Sequence, residues 1–398
     1  MRETFLFAVL VSFAPLLNAE ETLDGREGRD LALDRFRPQS QLVLPQETVR
    51  RAKFPVVDVH VHCRLKMRQS PEVVDEFVRL MDAQNIAVCV SLDGGLGEKF
   101  EEHKQFLQQR YPNRFVIFAN IDWIGNGTRE EPATWDCHRP DFGRRMALAL
   151  ADAKERGAAG LKIHKMLGLY YRNPDGSYMA VDDPRWDPIW EACGELGLPV
   201  IIHTADPVAF FEPIDATNER WEELNRHPDW SFAGGPPNNY DGPGHDELLE
   251  ARNRVIARHQ KTTFIGAHVA NYPENLAKVG EWLDAYPNLV VEIAARIAEL
   301  GRQPRSARKF FLKYQDRIMF GTDGPRPAGR LHPHWRMLET DHEYFTYAEG
   351  QYPPQGIWNI YGLDLPDEVL RKVYFENAER VIPGVADRLK VARASRPE

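Results

Sequence analysis

The residues best suited to chemistry in this sequence lie in one short apolar segment that contains Asp58, His60 and His62. These polar residues alternate with valines, and side chains two positions apart in a β-strand lie on the same face. Burying them together is costly unless a partner satisfies their polar atoms. Because imidazole is a common metal ligand, the spacing predicts that His60 and His62 hold a metal ion. A purely structural pair of histidines is the alternative.

Other apolar segments of the chain also end in polar residues. These residues are Lys162, His164, His203, His268 and Asp323. Each one alone is weak support for a site, because a histidine at a strand end often bonds a loop carbonyl. Together they are difficult to explain by core packing, and strand ends that converged on one rim would bring them into one multidentate site.

Eight short runs rich in β-branched residues predict the strands that would position these side chains. The runs cover 56–62, 86–92, 115–121, 160–164, 199–203, 263–268, 289–293 and 317–321. Apolar residues recur at helical spacing over 71–84, 101–111, 144–156, 188–196, 246–259, 274–286 and 306–314. The alternation predicts an α/β fold, a (β/α)8 TIM barrel. An open doubly wound sheet is disfavoured, because no glycine-rich phosphate loop follows the first strand.

Two long connections, 165–184 and 204–245, each follow a predicted strand and precede a predicted helix. In a barrel such connections lie at the face that carries the active site. Long loops in a compact domain are usually lids or substrate-binding segments, so we expect specificity to reside there. His332 and His334 follow the last strand and are interpreted as loop residues.

Composition narrows the functional class further. The 398 residues are 43% hydrophobic and 27% charged, an ordinary globular balance. The formal net charge is −9 and the basic residues are scattered, so the sequence predicts no nucleic-acid partner. The four cysteines form no Cys-x-x-Cys pair, which argues against a cysteine zinc site.

The N-terminus resembles an export signal. Arg2 precedes an apolar run over 5–17, and the sequence up to Ala19 resembles a cleavage site. The run is too short to span a bilayer. A membrane anchor or a fortuitous apolar start is the alternative. The mature protein is expected in the periplasm or outside the cell, without stable membrane insertion.

These features predict the organisation of the chain. The expected segments are a signal peptide at 1–19, a linker or N-terminal strap at 20–52, a barrel domain at 53–385 and a C-terminal tail at 386–398.

Five motifs together resemble the amidohydrolase superfamily, and more narrowly its amidohydrolase-2 branch, which includes hydrolases and decarboxylases. They are V-D-V-H-V-H, G-L-K-I-H, L-P-V-I-I-H, I-G-A-H and F-G-T-D-G-P, in this order, within roughly residues 55–380. The resemblance implies that His60, His62 and His203 bind the metal and that Asp323 is the fourth contact. It also implies that His268 orients or activates the metal-bound water or the substrate, while Asp323 takes the proton of that water.

The resemblance leaves the number of metals open at Lys162. In binuclear members of the superfamily this lysine is carboxylated and bridges two metals, whereas the branch resembled here usually holds one. We expect one divalent metal, foremost Zn²⁺, with Mn²⁺ or Fe²⁺ as alternatives. We predict that three residues bind the substrate, namely Lys162, His164 and Arg296. The two cations, Lys162 and Arg296, would contact carboxylate or carbonyl oxygens of the substrate. A salt bridge for Lys162 and a structural role for Arg296 are the alternatives.

Three functions remain open on the sequence. The first is a hydrolase of a small molecule, in which metal-bound hydroxide attacks the carbonyl carbon of an amide, lactone or cyclic ester. The second is a non-oxidative decarboxylase of an aromatic or enolic acid that uses the same ligands. The third is a binding protein with a silenced site. Predicted export favours hydrolysis, and a homodimer is compatible with the family resemblance.

Overall fold

The computed structural model describes residues 23–36, 38–44, 49–67, 70–348 and 355–394. By its internal contacts the chain divides into a small unit, 1–44, and a large unit, 45–398. The described part of the small unit contains an antiparallel bridge between Asp24 and Leu31. The predicted signal peptide lies outside the described residues, and the predicted domain limits stay predictions.

The large unit is built on parallel β-strands. Its strands are β1 (Val56–Val61), β2 (Ile86–Ser91), β3 (Phe115–Ile117), β4 (Ala119–Asn120), β5 (Leu161–Ile163), β6 (Val200–Ile202), β7 (Phe264–Gly266), β8 (Leu289–Glu292) and β9 (Ile318–Met319). Only Phe118 separates β3 from β4, so these two form one barrel strand. When β3 and β4 are counted as one, each barrel strand pairs in parallel with the next one along the chain. The eight predicted barrel strands are therefore confirmed.

The last strand returns to the first and closes the barrel. The amide of Val59 donates to the carbonyl of Phe320 at 3.0 Å, and that of Gly324 donates to the carbonyl of His60 at 3.1 Å. Asp58 reinforces this junction from inside, because its Oδ2 accepts a hydrogen bond from Oγ1 of Thr322 at 2.6 Å. Burial raises the pKa of Asp58 to about 7. Asp58 thus fixes the segment that carries Asp323 against β1.

Helices separate the strands and cover the barrel. They span Cys63–Met67, Pro71–Gln84, Glu98–Gln108, Phe142–Glu155, Asp187–Leu196, Trp221–Arg226, His245–Arg258, Leu276–Ala285, Ile297–Arg302, Pro304–Lys313, Ala328–Glu339, Asp367–Arg371, Asn377–Val381 and Val385–Ala394. The predicted helices are present, with ends that differ by a few residues. Pro71 occupies the first turn of its helix, where its missing amide proton costs nothing.

The end of the chain adds to the same core. In the helix Val385–Ala394, which begins where the tail was predicted, Leu389 is fully buried. Nε of Arg388 in that helix donates to the carbonyl of Phe115 at 2.9 Å. All four cysteines are buried and unpaired. No helix in the described part of the chain has both the length and the apolar character that crossing a membrane requires.

Candidate metal centre

Two histidines at the carboxyl end of β1 are each oriented by a buried carboxylate. Nδ1 of His60 lies 2.9 Å from Oε1 of Glu292, and Nδ1 of His62 lies 2.7 Å from Oδ1 of Asp93. A carboxylate only accepts hydrogen bonds, so Nδ1 carries the proton in both rings. This leaves Nε2 of each ring for a metal ion.

Asp323 completes a compact group of ligand atoms with these histidines. Its Oδ1 lies 3.4 Å from Nε2 of His62 and 3.9 Å from Nε2 of His60. The three ligand atoms all lie within 4.8 Å of one another, which is the spacing that one shared cation requires. The side chain of Asp323 is 30% exposed, so it also faces the space where a substrate would enter.

His203 and His268 stand beside this group. Their ring centroids are 4.4 Å apart, and the ring of His268 is 4.8 Å from that of His60. Nε2 of His203 is buried without a hydrogen-bond partner. Nδ1 of His268 donates to the carbonyl of Ala294 at 2.8 Å, so its Nε2 lone pair is also available.

The electrostatics of the cluster favour neutral imidazoles. Burial holds the pKa values of His60, His203 and His268 well below their usual range. Burial also lowers the pKa of His164 to about 3. Neutral imidazole is the form that binds metals. Buried neutral rings with available nitrogens beside a carboxylate therefore fit a divalent metal such as Zn²⁺, Mn²⁺ or Fe²⁺.

The three predicted substrate-binding residues occupy different positions. Lys162 is fully buried beneath the cluster, with Nζ 3.4 Å from Nε2 of His60, and burial lowers its pKa to about 8. Among the described residues it has no carboxylate within ion-pair distance, so the salt bridge considered as its alternative is not present. His164 and Arg296 line the cavity described next.

A cavity of about 570 Å³ contains the cluster in its wall. The loop 204–245 contributes several of its lining residues, whereas the loop 165–184 contributes only Lys165. Aromatic residues of the latter loop pack elsewhere, with the ring of Tyr171 5.6 Å from that of Trp135. Of the two loops expected to carry specificity, the loop 204–245 therefore supplies most of the lining of this cavity.

The interpretation of His332 and His334 as loop residues is wrong. Both lie in the helix Ala328–Glu339. His334 is buried, lines the cavity and contacts the carbonyl of Arg330 through Nδ1 at 3.1 Å. The proline inside this helix, Pro333, obscured the helical pattern in the sequence.

Sequence reasoning missed Asp93 and Glu292 as functional residues. Both are almost fully buried acids near the carboxyl ends of β2 and β8. An acid at the end of an apolar strand is the same signal that identified the histidines, so both could have been found. Glu292 also explains Gly321 of the last motif, where a Cβ would lie 2.6 Å from Oε2 of Glu292.

The substitution Glu292→Gln is expected to weaken metal binding on the order of 10-fold to 10²-fold, as for other residues that orient metal ligands. The Glu292 carboxylate accepts a hydrogen bond from Nδ1 of His60, and its Oε2 accepts one from the backbone amide of Ala294 at 2.5 Å. In the glutamine variant a side-chain nitrogen replaces one of these two oxygens, and it would face a donor that it cannot accept from. Competition with a chromophoric chelator measures the affinity. Glu339→Gln is the matched control, because Glu339 accepts a backbone amide and a phenol far from the cluster.

Parallel strands closed into a barrel, with imidazoles and a carboxylate gathered at their carboxyl ends, define a metal-dependent barrel enzyme. The chain belongs to the amidohydrolase family, whose model matches residues 57–384. It is accordingly a metal-dependent enzyme of the amidohydrolase superfamily, and the resemblance predicted from the five motifs is confirmed.

Several solved structures resemble the chain at low identity. 2,6-Dihydroxybenzoate decarboxylase from Rhizobium is 15% identical with a TM-score of 0.46, over 82% of this chain and 98% of that one. 5-Carboxyvanillate decarboxylase from Sphingomonas paucimobilis is 12% identical with a TM-score of 0.44, over 83% and 99%. 4-Oxalomesaconate hydratase from Rhodopseudomonas palustris is 13% identical with a TM-score of 0.45, over 85% and 99%. No curated protein matches the chain.

Proposed function

We propose that the protein is a hydrolase that cleaves a C–N or C–O bond at the carbonyl of a small amide, lactone or cyclic ester. The observation that carries this proposal is the position of Asp323. Its carboxylate lies 3.4 Å from Nε2 of His62 and is open to the cavity, which supports a role for Asp323 as a proton acceptor. Proton transfer by such a group typically contributes ~10²-fold to 10⁴-fold to the rate.

His60, His62, His203 and Asp323 would hold the metal. When bound there, a divalent metal would polarise the substrate carbonyl and make a nearby water more acidic. Asp323 takes a proton from the attacking water as the new C–O bond forms. It returns that proton to the leaving nitrogen or oxygen as the C–N or C–O bond breaks. His268, fixed by the carbonyl of Ala294, offers Nε2 as a hydrogen-bond acceptor on the other side of the cluster.

The charge of the cavity favours a substrate that carries a carboxylate. The basic lining residues are Lys165, Arg220, Arg226, Arg296, Arg326 and Arg330, and the acidic ones are Asp206, Glu223 and Asp323. Arg296 lines the cavity and its buried Nε has no hydrogen-bond partner, which supports a role for this guanidinium in binding an anion. A guanidinium binds carboxylates more strongly than neutral acceptors.

The second candidate is a metal-dependent decarboxylase of an aromatic or enolic acid. The same basic lining favours it, because its substrate is itself a carboxylic acid. Asp323 or His268 would then move a proton to the carbon that loses carbon dioxide. The two reactions need the same ligands and differ in their products.

A substrate screen on the metal-loaded protein tests the proposal. It contains amides, lactones and aromatic acids, and each amide or lactone is present with and without a carboxylate. Released carbon dioxide is monitored throughout. We expect turnover of a carboxylate-bearing amide or lactone without gas release. Turnover that releases carbon dioxide would replace the hydrolase by the decarboxylase, and turnover of neutral members alone would remove the anion-binding role of Arg296.

We also propose that the chain is exported and that its first 19 residues are removed, since a charged residue, an apolar run and a small-residue cleavage site follow one another there. N-terminal sequencing of protein purified from its native cell is expected to begin near Glu20. A mature protein that still begins with Met1 would contradict the proposal.

A further inference from the structure

The backbone directly after β7 has an unusual conformation. His268, Val269, Ala270 and Asn271 all have left-handed φ values, of 58°, 58°, 52° and 54°. None of them is glycine, and the left-handed region is unfavourable for any residue with a Cβ, most of all for a β-branched valine. Such strain persists only where the surrounding structure enforces it, and it concentrates at functional sites. We call residues 267–271 the left-handed turn.

The left-handed turn determines where His268 lies. It ends β7 and directs the imidazole towards the cluster, with Nδ1 2.8 Å from the carbonyl of Ala294. From the barrel interior, Oε1 of Glu292 accepts the amide of His268 at 2.8 Å. Relaxation of the turn would therefore move the ring of His268 away from His60 and His203.

A second set of contacts holds the turn from outside the barrel. The helix His245–Arg258 directs two side chains at carbonyl oxygens of the turn. NH1 of Arg252 donates to the carbonyl of Ala270 at 2.5 Å. Nε2 of His245 is 3.1 Å from the carbonyl of Asn271, to which it donates. Nδ2 of Asn271 itself donates to the carbonyl of Ala205 at 3.0 Å.

Arg252 is a costly residue for this position. It is 1% exposed, and none of its contacts in the described part of the chain is with a carboxylate. Its remaining donors bond Oδ1 of Asn253 at 2.9 and 3.2 Å, and its guanidinium lies 4.7 Å from the ring of Trp282. A buried charge without a counter-ion is expensive, and an apolar side chain of similar volume would avoid that cost. Packing alone therefore does not explain an arginine at this position.

We propose that Arg252, assisted by His245, is a positioning residue that keeps the left-handed turn in place and thereby holds His268 against the metal cluster. The inference rests on the proposed function, since His268 is the group whose placement affects turnover. In this proposal the helix His245–Arg258 positions a group of the reaction centre through the backbone carbonyls of Ala270 and Asn271.

The test compares Arg252→Met, which removes the donors but keeps apolar volume, with Arg252→Lys, which keeps one donor. The matched control is Arg317→Met. Arg317 also donates to backbone carbonyls, those of Leu289 and Tyr286, but it precedes β9 at the end of the barrel opposite Asp323. We measure kcat, KM, metal content and melting temperature for each variant.

Arg252→Met is expected to lower kcat on the order of 10-fold to 10²-fold, the scale of a misplacement of about 1 Å, while KM and metal content stay close to wild type. Arg252→Lys restores most of the loss. The loss also shrinks in the presence of Ala270→Gly, because glycine adopts the left-handed conformation without strain. A loss of kcat no larger than that of Arg317→Met at equal melting temperature overturns the inference.

Two further measurements test the inference even if Arg252→Met is less stable than the wild type or no substrate is found. His245→Phe removes the donor to Asn271 together with the contact between Nδ1 of His245 and the exposed carboxylate of Asp246. A smaller loss of kcat is expected from it, so that unchanged kcat argues against the inference. Crystal structures of Arg252→Met and the wild type decide the case even if no substrate in the screen is hydrolysed. An unchanged left-handed turn in the variant overturns the positioning role, whereas an inactive wild type overturns only the proposed function.

Discussion

Removal of the metal by a chelator is expected to abolish turnover, and addition of Zn²⁺, Mn²⁺ or Fe²⁺ is expected to restore it. Two imidazoles of the cluster, His60 and His62, direct Nδ1 at Glu292 and Asp93, which leaves their Nε2 atoms to bind a metal ion. Without a Lewis acid, the carbonyl and the attacking water lose the activation that a bound divalent metal supplies. Activity of the protein before and after dialysis, with elemental analysis of both, measures the effect.

The number of metal ions bound per chain is a second result of the same experiment. About one equivalent of metal per chain is expected, because the two candidate groups of ligand atoms among the described residues, His60–His268–Glu292 and His60–His62–Asp323, share His60. Two equivalents would contradict the single-metal prediction and point to a carboxylated Lys162, whose Nζ lies 3.4 Å from Nε2 of His60. His60→Ala should lose most of the metal. His103→Ala is the matched control, since His103 is a buried imidazole bonded to Ser91 and should retain it.

Asp323→Asn is expected to lower kcat on the order of 10²-fold or more, which is the typical loss when a proton-transfer group is removed. The amide keeps the size of the side chain, but it cannot take a proton from water at neutral pH. Metal content is determined for the same sample, because Asp323 also lies among the metal ligands. A loss of kcat in fully loaded protein isolates the proton transfer from the loss of metal.

Asp122→Asn provides the control for this substitution. Asp122 also follows a barrel strand at its carboxyl end and pairs with a lysine, Lys99, at 3.1 Å, but it does not line the cavity. Its replacement should leave kcat within about twofold, since an exposed ion pair contributes little. Near-normal turnover of Asp323→Asn would remove Asp323 from the chemistry and leave His268 as the principal candidate.

The sequence alone determined the barrel and the identity of the histidines. Alternation along a strand is a local property, so the spacing of Asp58, His60 and His62 already placed them on one face. β-branched runs separated by helical patterns likewise depend on residues close in the chain. The same reasoning would have found Asp93 and Glu292, had buried acids at strand ends been weighed as the histidines were.

Tertiary structure decided the contacts between distant segments. Glu292 bonds His60 across 232 positions of the chain, and no local pattern encodes which strand ends meet. Packing also decided that the loop 204–245 supplies more of the cavity lining than the loop 165–184, and it turned His334 towards the cavity. The left-handed turn is the extreme case, because Val269 and Ala270 have no intrinsic preference for that conformation. Contacts from Arg252 and Glu292, both distant in the chain, hold the turn from two sides.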